Sequence, residues 1–173
     1  MVDGPLRDMF KETINSSLGS YEITDSYELL INLDTENTII FCDQNLSIPE
    51  QLLKFNKVLR VDGSEALKTL ESAQKIIIDL ANLGANRSTH LIAIGGGSVQ
   101  DICTFICSIY MRGIAWSYIP STLMAMLDSC IGGKSSINVG DLKNLVGNFY
   151  LNVMLLLGIT LLVLTIKLLT LDF

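Results

Sequence analysis

The sequence predicts an α/β fold, a Rossmann-like open parallel sheet with crossover helices, and three observations carry that prediction. Short apolar runs alternate along the chain with stretches whose apolar residues are spaced three and four apart, the pattern of strands alternating with helices. Three consecutive glycines join one such run to one such stretch, as at the ligand-binding edge of a doubly wound sheet. The 49% hydrophobic content over 173 residues suffices for one packed domain.

The predicted elements before the glycines begin with a β-like stretch at residues 21–23 and a short helix that Asp25 can cap. Residues 37–42 predict a buried strand that ends in a polar turn at 43–45. A further strand is predicted at 57–61. Apolar residues at a spacing of three and four then predict a long helix over 66–83.

The central strand is predicted at residues 89–94, an apolar run entered from a polar turn and left through Gly95 to Gly97. A helical pattern follows over 98–112. A last strand is predicted at 114–119, closed by Pro120. This alternation implies parallel strands joined by crossover helices.

Composition excludes several classes of function. The net charge is -6 and the sequence has no run of Lys or Arg, so a nucleic-acid surface is not expected. The cysteines lack CxxC spacing, and the chain has a single histidine; we expect buried thiols in a reducing compartment. The polar N-terminal residues do not resemble a signal peptide, which favours a cytoplasmic protein. The cysteines are Cys42, Cys103, Cys107 and Cys130.

The glycine run Gly95 to Gly97 is the strongest local feature, since it lets backbone amides approach a pyrophosphate at a helix N-terminus. A tight strand-to-helix turn explains it equally well without a ligand. Asp101 lies one helical turn further on. Its carboxylate can point back towards a ligand held by the glycine loop, or it can be a solvated carboxylate on the helix surface. Ser121 and Thr122 place two hydroxyls after the next strand, and a helix N-cap accounts for one of them.

Residues 128–150 combine a carboxylate, lysines, amides and a glycine pair in a stretch of weak regular pattern. Lysines beside glycine-rich backbone suit phosphate or polyhydroxyl ligands, because an ammonium is a compact charge with three donors. A solvated loop is the alternative reading. The side chains concerned are Asp128, Lys134, Lys143 and Asn144.

Taken together, these motifs resemble 3-dehydroquinate synthase, a family of sugar-phosphate cyclases, over residues 38–150. The resemblance implies an NAD-binding domain followed, in the complete enzyme, by a helical domain that holds a divalent metal, zinc or cobalt. It implies conversion of 3-deoxy-D-arabino-heptulosonate 7-phosphate to 3-dehydroquinate and phosphate, in the shikimate pathway. The motifs are EALKTL at 65–70, GGGSVQD at 95–101, YMRG at 110–113, PSTL at 120–123, DSCIGGKSSIN at 128–138, KN at 143–144 and GNFY at 147–150.

The resemblance also assigns roles to individual residues of this chain. Asp128, Lys134 and Asn144 match positions that contact the substrate and carry the chemistry. The matches for the cofactor are Asp43 and Asn45 on the adenosine side, Glu65 and Lys68 at the ribose and nicotinamide, Gly95, Gly96 and Gly97 at the pyrophosphate, and Asp101, Ser121, Thr122, Lys134 and Lys143 close to NAD.

Two departures from the family pattern limit the assignment of substrate. Gln100 stands where the family has glycine, which predicts a side chain close to the ligand. Related cyclases act on other heptulose phosphates, and the sequence does not separate them from 3-dehydroquinate synthase. The glycine triplet followed by Ser98 also resembles glycerol dehydrogenase-type enzymes, which lack the stretch at 128–134.

The chain departs from the family pattern after Tyr150, where charged residues give way to leucine. We therefore divide it into a cofactor domain at 1–150 and a hydrophobic tail at 151–173, and interpret it as an inactive fragment that lacks the family's metal ligands. His90 precedes the glycine strand and is expected to be structural. The alternative is a non-catalytic domain anchored by a membrane helix at 145–166. Expected partners are NAD and a sugar phosphate, and a homodimer is compatible with the sequence.

Overall fold

The computed structural model describes residues 11–126 and 133–151, and the backbone of 153–156. Nine strands and three α-helices lie within these residues. The strands are β1 (Lys11–Ser16), β2 (Gly19–Thr24), β3 (Thr38–Asp43), β4 (Lys57–Val61), β5 (His90–Gly95), β6 (Ala115–Pro120), β7 (Ile137–Val139), β8 (Leu142–Val146) and β9 (Val153–Leu156). The helices are α1 (Glu28–Ile31), α2 (Leu70–Asn82) and α3 (Gly97–Ile109), with short 3-10 turns at Glu50–Leu52, Glu65–Leu67 and Tyr110–Arg112.

Seven strands form one sheet in the order β1-β2-β9-β6-β5-β3-β4. Every neighbouring pair from β2 to β4 is parallel, and only the hairpin β1–β2 is antiparallel. The predicted open parallel α/β sheet is therefore confirmed. Because parallel strands end at the same edge, the carboxyl ends of β3, β5 and β6 lie side by side and can present one site.

The strands β3, β5 and β6 are buried on both faces of the sheet, which explains why they are largely apolar runs. Alternate residues of β5 enter two different clusters: Leu91 and Ala93 pack with α2 and α3, whereas Ile92 and Ile94 pack with α1 and the 3-10 turn near Leu52. This alternation follows from the two-residue period of a strand.

Two predicted elements differ in detail from the structure. The helix predicted at 66–83 is a 3-10 turn followed by α2, because the Thr69 hydroxyl accepts a hydrogen bond from the Ser72 amide and starts the helix there. The N-cap position of α1 is Tyr27 and not Asp25, and the Ser26 hydroxyl accepts from the Glu28 amide. The region of weak pattern at 133–150 contains the hairpin β7–β8, whose antiparallel pairing the sequence did not suggest.

Residues beyond Tyr150 contribute to the sheet. Strand β9 pairs in parallel with both β2 and β6, so it occupies an inner position. The segment 145–166, considered above as one membrane helix, contains the end of β8 and all of β9, and that alternative is not supported. Among the described residues, no helix has the length and hydropathy needed to cross a membrane.

Candidate functional site

The glycine run lies at the carboxyl end of β5, as the sequence predicts. Gly95 is the last residue of the strand, Gly96 is the N-cap of α3 and Gly97 is its first residue. A Cβ on Gly95 would lie 2.6 Å from Val99, so only glycine fits there. Gly96 has φ -85 and needs no left-handed backbone; its missing side chain instead leaves room beside Thr122, whose Cγ2 would lie 3.2 Å from an added Cβ.

The turn thereby exposes the N-terminus of a 13-residue helix. Its first four residues run from Gly97 to Gln100 and include no acidic side chain. Unsatisfied amides and the helix dipole favour an anion at this position. The carbonyl of Gly95 is held by the Ser121 amide at 2.8 Å and the Tyr118 hydroxyl at 2.9 Å, which fixes the turn to β6.

A buried ion pair lies beside the glycine turn. Lys68 Nζ is 2.8 Å from Asp101 Oδ2 and donates to Asn144 Oδ1 at 3.0 Å. Lys68 is only 6% exposed, so its charge depends on these partners for compensation. The contact joins the segment after β4, helix α3 and strand β8, which are distant in sequence.

Amide side chains extend this network towards Glu65. Asn138 Nδ2 donates to Glu65 Oε1 at 3.0 Å, and Asn138 Oδ1 accepts from the Asn144 amide at 2.8 Å. The Ser98 hydroxyl donates to the other Glu65 oxygen at 3.3 Å. Lys68 Nζ also lies 3.5 Å from Glu65. Asn138 therefore orients both Glu65 and Asn144.

The pKa values of the Asp101 and Glu65 carboxyl groups are shifted in opposite directions. Burial raises the pKa of Asp101, while the hydrogen bond and charge of Lys68 act to lower it. The hydrogen bond from Asn138 lowers the pKa of Glu65, assisted by Lys68 and Ser98 and opposed by burial. Glu65 thus stays an ionised acceptor suited to ribose hydroxyls.

A cavity of about 300 Å³ opens at this edge of the sheet. Five of the predicted cofactor residues line it, together with Ser98, Met124 and Ala125. A larger cavity of about 360 Å³ lies between β4 and α2 and is lined by none of the predicted residues, so we place the site at the smaller one. The five predicted residues are Glu65, Lys68, Gly97, Asp101 and Thr122.

The predicted adenosine-side residues, Asp43 and Asn45, lie at the carboxyl end of β3. Asp43 ends β3, and its Oδ1 accepts from the amide and side chain of Asn45, at 2.9 and 3.2 Å. A Cβ on Gly63 would lie 2.1 Å from Asp43 Oδ2, so this carboxylate packs directly on glycine backbone. The Thr122 hydroxyl accepts from the Ala125 amide at 3.2 Å. Of the hydroxyl pair, Thr122 is therefore the residue that caps the following turn.

The predicted substrate residues come together only in part. Asn144 belongs to the Lys68 network, whereas Lys134 is exposed on the segment 133–146. Lys143, which was predicted as a cofactor residue, is exposed on the same segment. Asp128 lies outside the described residues.

Gln100 does not project towards the ligand, and that expectation is wrong. It is 1% exposed, and its Nε2 donates to the Lys134 carbonyl at 2.8 Å and to Thr104 at 3.3 Å. The reason is its position on the buried side of α3, one residue before Asp101.

His90 is structural, as expected. It is the first residue of β5, so it lies at the opposite end of that strand from Gly95, roughly 17 Å away at strand rise. Its Nε2 lies 2.7 Å from the Ser117 hydroxyl, and burial lowers the pKa of His90 to about 4. Within the described part of the chain, no three His, Cys, Asp or Glu side chains cluster as metal ligands. These residues do not fit a metal site.

Fold and site together define a class: a doubly wound α/β domain with a helix N-terminus and a lysine–carboxylate pair at its ligand-binding edge. The chain belongs to the 3-dehydroquinate synthase family, whose N-terminal model matches residues 58–168. It is 41% identical over 115 residues to 3-dehydroquinate synthase of Pyrobaculum islandicum, covering 66% of this chain and 33% of that protein. The chain thus spans about a third of the length of the curated relatives it matches.

Solved structures of related cyclases share the fold. A 2-deoxy-scyllo-inosose synthase complexed with carbaglucose-6-phosphate, NAD+ and Co2+ superposes with a TM-score of 0.72 at 26% identity, covering 84% of this chain and 45% of its own. The 2-epi-5-epi-valiolone synthase of Streptomyces hygroscopicus, with NAD+ and Zn2+ bound, gives 0.66 at 25% identity, covering 83% and 44%. The family's members are sugar-phosphate cyclases.

Three residues of the site were missed from the sequence: Gly63, Ser98 and Asn138. Gly63 follows a strand in an Asp-Gly pair, which is a signal for close backbone approach. Ser98 and Asn138 lie inside the family motifs at 95–101 and 128–138, but a serine or an asparagine side chain by itself does not indicate a particular role. Only the fold brings them onto Glu65.

Proposed function

We propose that this chain forms the cofactor-binding part of a 3-dehydroquinate synthase, which converts 3-deoxy-D-arabino-heptulosonate 7-phosphate to 3-dehydroquinate and phosphate. The observation that carries the proposal is the convergence of Lys68, Asp101 and Asn144 beside the glycine turn. Two of these residues are proposed to face the cofactor and one the substrate, so the network couples the two ligands.

NAD fits the described residues. The pyrophosphate is assigned to the amides of Gly95 to Gly97, because only a site free of Cβ atoms and acidic side chains admits it. The ribose hydroxyls are assigned to Glu65, which stays ionised. Bound NAD supplies a hydride acceptor for a transient oxidation. The assignments extend to Asp43 and Asn45 on the adenosine side, and to Lys68, Asp101, Ser121, Thr122 and Lys143 around the rest of the cofactor.

The substrate is assigned to residues between 128 and 144, of which the structure describes those from Gly133 onwards. Lys134 offers an exposed ammonium for the phosphate, and Asn144 offers an amide whose position the Lys68 bond fixes. Asp128 completes this proposed set. The family's divalent metal, zinc or cobalt, has no ligand set among the described residues.

A second sugar-phosphate cyclase activity is supported by the structural relatives. These relatives are a 2-deoxy-scyllo-inosose synthase, with a TM-score of 0.72, and a 2-epi-5-epi-valiolone synthase. Calorimetry with NAD+ present separates the two candidates. We expect 3-deoxy-D-arabino-heptulosonate 7-phosphate to bind more tightly than carbaglucose-6-phosphate, and the reverse order would favour the alternative.

Two lysine variants control that titration. Lys134→Ala should abolish binding of the sugar phosphate, because it removes the proposed phosphate contact. Lys75→Ala should leave it unchanged, because Lys75 is an exposed lysine in α2 that lines the other cavity. Equal losses in both variants would mean that the lysine contributes only general charge.

We further propose that the 173 residues alone do not complete the reaction. A catalytic zinc takes about three protein ligands. The single histidine of this sequence, His90, lies at the end of β5 opposite the glycine turn, where it is hydrogen-bonded to Ser117 of β6. The assay supplies NAD+, zinc and the heptulosonate phosphate, and follows phosphate and dehydroquinate together. Metal-dependent turnover that Lys134→Ala abolishes would contradict this proposal.

A further inference from the structure

Gln100 connects the cofactor helix to the segment that carries Lys134. Its side chain leaves the buried side of α3 and donates from Nε2 to the Lys134 carbonyl at 2.8 Å. The carbonyl can act only as an acceptor, so the hydrogen bond fixes which end of the Gln100 amide faces Lys134. The contact is 34 residues distant in sequence.

The next residue of α3 holds the same segment at a second point. Asp101 accepts a hydrogen bond from the Ser136 amide. Two consecutive helix residues therefore hold alternate residues of one extended segment, Lys134 and Ser136. Since Asp101 also binds Lys68, the clamp is continuous with the network beside the glycine turn.

The other side of the segment is tied to residues 148–150. The Ser135 amide donates to the Asn148 carbonyl at 2.9 Å, and the Tyr150 amide donates to the Gly133 carbonyl at 2.8 Å. These bonds use the backbone groups on either side of Lys134 and leave its own carbonyl for Gln100. The residue itself stays exposed between buried Gly133 and Ser135.

Gln100 carries this contact at a cost to stability. Its Oε1 is buried and has no hydrogen-bond partner among the described residues, and a buried acceptor without a partner is unfavourable. An apolar side chain of similar shape would avoid that penalty. The bond to Lys134 is therefore the feature that distinguishes glutamine from an apolar residue at this position.

We propose that Gln100 is a positioning residue that sets the distance of Lys134 from the glycine turn. It acts through the Lys134 backbone and touches neither ligand. The inference rests on the proposed function for the role of Lys134 as a phosphate contact. Its structural part, the clamp of Gln100 and Asp101 on residues 134–136, holds independently of any ligand.

Amide hydrogen exchange measured by NMR on the unliganded chain tests the clamp. Gln100→Met keeps the volume and removes the donor, so we expect the Ser136 amide to exchange about tenfold faster, while the Ile92 amide in β5 is unchanged. Thr104→Val is the matched control: it removes the weaker partner of Gln100 and should leave Ser136 exchange as in the wild type. Gln100→Ala serves as a second variant.

Unchanged Ser136 exchange in the Gln100 variants overturns the proposal. Equal acceleration of Ser136 and Ile92, or failure of both variants to fold, also overturns it, because Gln100 would then be an ordinary core residue. Inorganic phosphate and NAD+ titrations complete the test. Gln100→Met should weaken the phosphate-induced shift at Lys134 and leave the NAD+ affinity unchanged; loss of both in equal measure contradicts a positioning role.

A wild-type chain that binds neither ligand would refute the proposed function, whereas the exchange result would still decide the clamp. The two failures are therefore distinguishable.

Discussion

The Nζ of Lys68 lies 2.8 Å from Oδ2 of Asp101, and both side chains are largely buried. The Lys68 side chain is 8% exposed and the Asp101 side chain 17%. The surface pair Lys11–Glu22 has the same 2.8 Å separation with exposures of 51% and 33%. The two pairs differ in burial and not in distance. They therefore allow the effect of burial on an ion pair to be measured within one protein.

Asp101→Asn should lower the free energy of unfolding by about 3 kcal/mol, because it leaves the buried Lys68 charge with only the more distant and more exposed carboxylate of Glu65. Glu22→Gln is the control, and should change it by less than about 1 kcal/mol, since exposed pairs contribute little. Urea denaturation measures both. Equal effects would show that Lys68 is solvated in solution.

Two substitutions at Asn144 separate the effect of its backbone conformation on stability from the effect of its side chain on binding. Its φ is 55, in the left-handed region that glycine adopts without strain. Asn144→Ala should therefore be less stable than Asn144→Gly by about 1 kcal/mol. Both variants lose the acceptor for Lys68, so both should weaken sugar-phosphate binding equally. A glycine variant that binds like the wild type would remove Asn144 from the proposed site.

Gly96→Ala should weaken NAD+ binding by about tenfold or more, because the added methyl group occupies the approach to the helix N-terminus. Part of the effect has another source, since the new Cβ also lies 3.2 Å from Thr122 Cγ2. Thr122→Ser removes that methyl group and keeps the hydroxyl. The double variant should recover stability in urea but not the NAD+ affinity measured by calorimetry. Recovery of both would place the pyrophosphate elsewhere.

His90 should make the fold less stable in mild acid. Burial lowers its folded pKa to about 4 from 6.5, so between these values the unfolded state binds more protons and stability falls as pH falls. From pH 7 to pH 5 the loss is about 2 kcal/mol. His90→Gln removes this contribution. The free energy of unfolding of the wild type minus that of the variant, both measured with urea, should therefore fall by this amount from pH 7 to pH 5. A difference that does not vary with pH would mean that His90 is solvated.

The sequence predicted the fold well where one physical signal dominated. The glycine end of β5 was predicted correctly, because a buried parallel strand is a continuous apolar run. Residues 57–61 were also predicted correctly, although β4 is a partly buried edge strand. The start of α2 was misplaced, since apolar spacing continues through the 3-10 turn and only the Thr69 cap marks the true beginning. The hairpin β7–β8 was missed because its strands are short and β8 is largely exposed, so its apolar residues do not alternate with polar ones.

The site was predictable in its residue types more than in its contacts. The glycine turn, Lys68 and Asp101 share one edge as expected, because parallel strands end together. The side chain of Gln100 was misjudged, since its direction depends on the helical rotation between positions 100 and 101. The role of Asn138 could not be predicted, because its contact with Glu65 spans 73 residues.

NAD is proposed to bind at the edge of the sheet formed by Gly95 to Gly97, Glu65 and Lys68. An NMR titration of the isotope-labelled chain with NAD+ tests this most directly, since every backbone amide reports separately. We predict saturable shifts at Gly96, Gly97 and Ser98, together with Glu65 and Lys68, while residues lining the larger cavity, such as Lys75 and Asp79, stay unchanged. Shifts confined to that larger cavity, or no saturable shift at the glycine turn, would contradict the account.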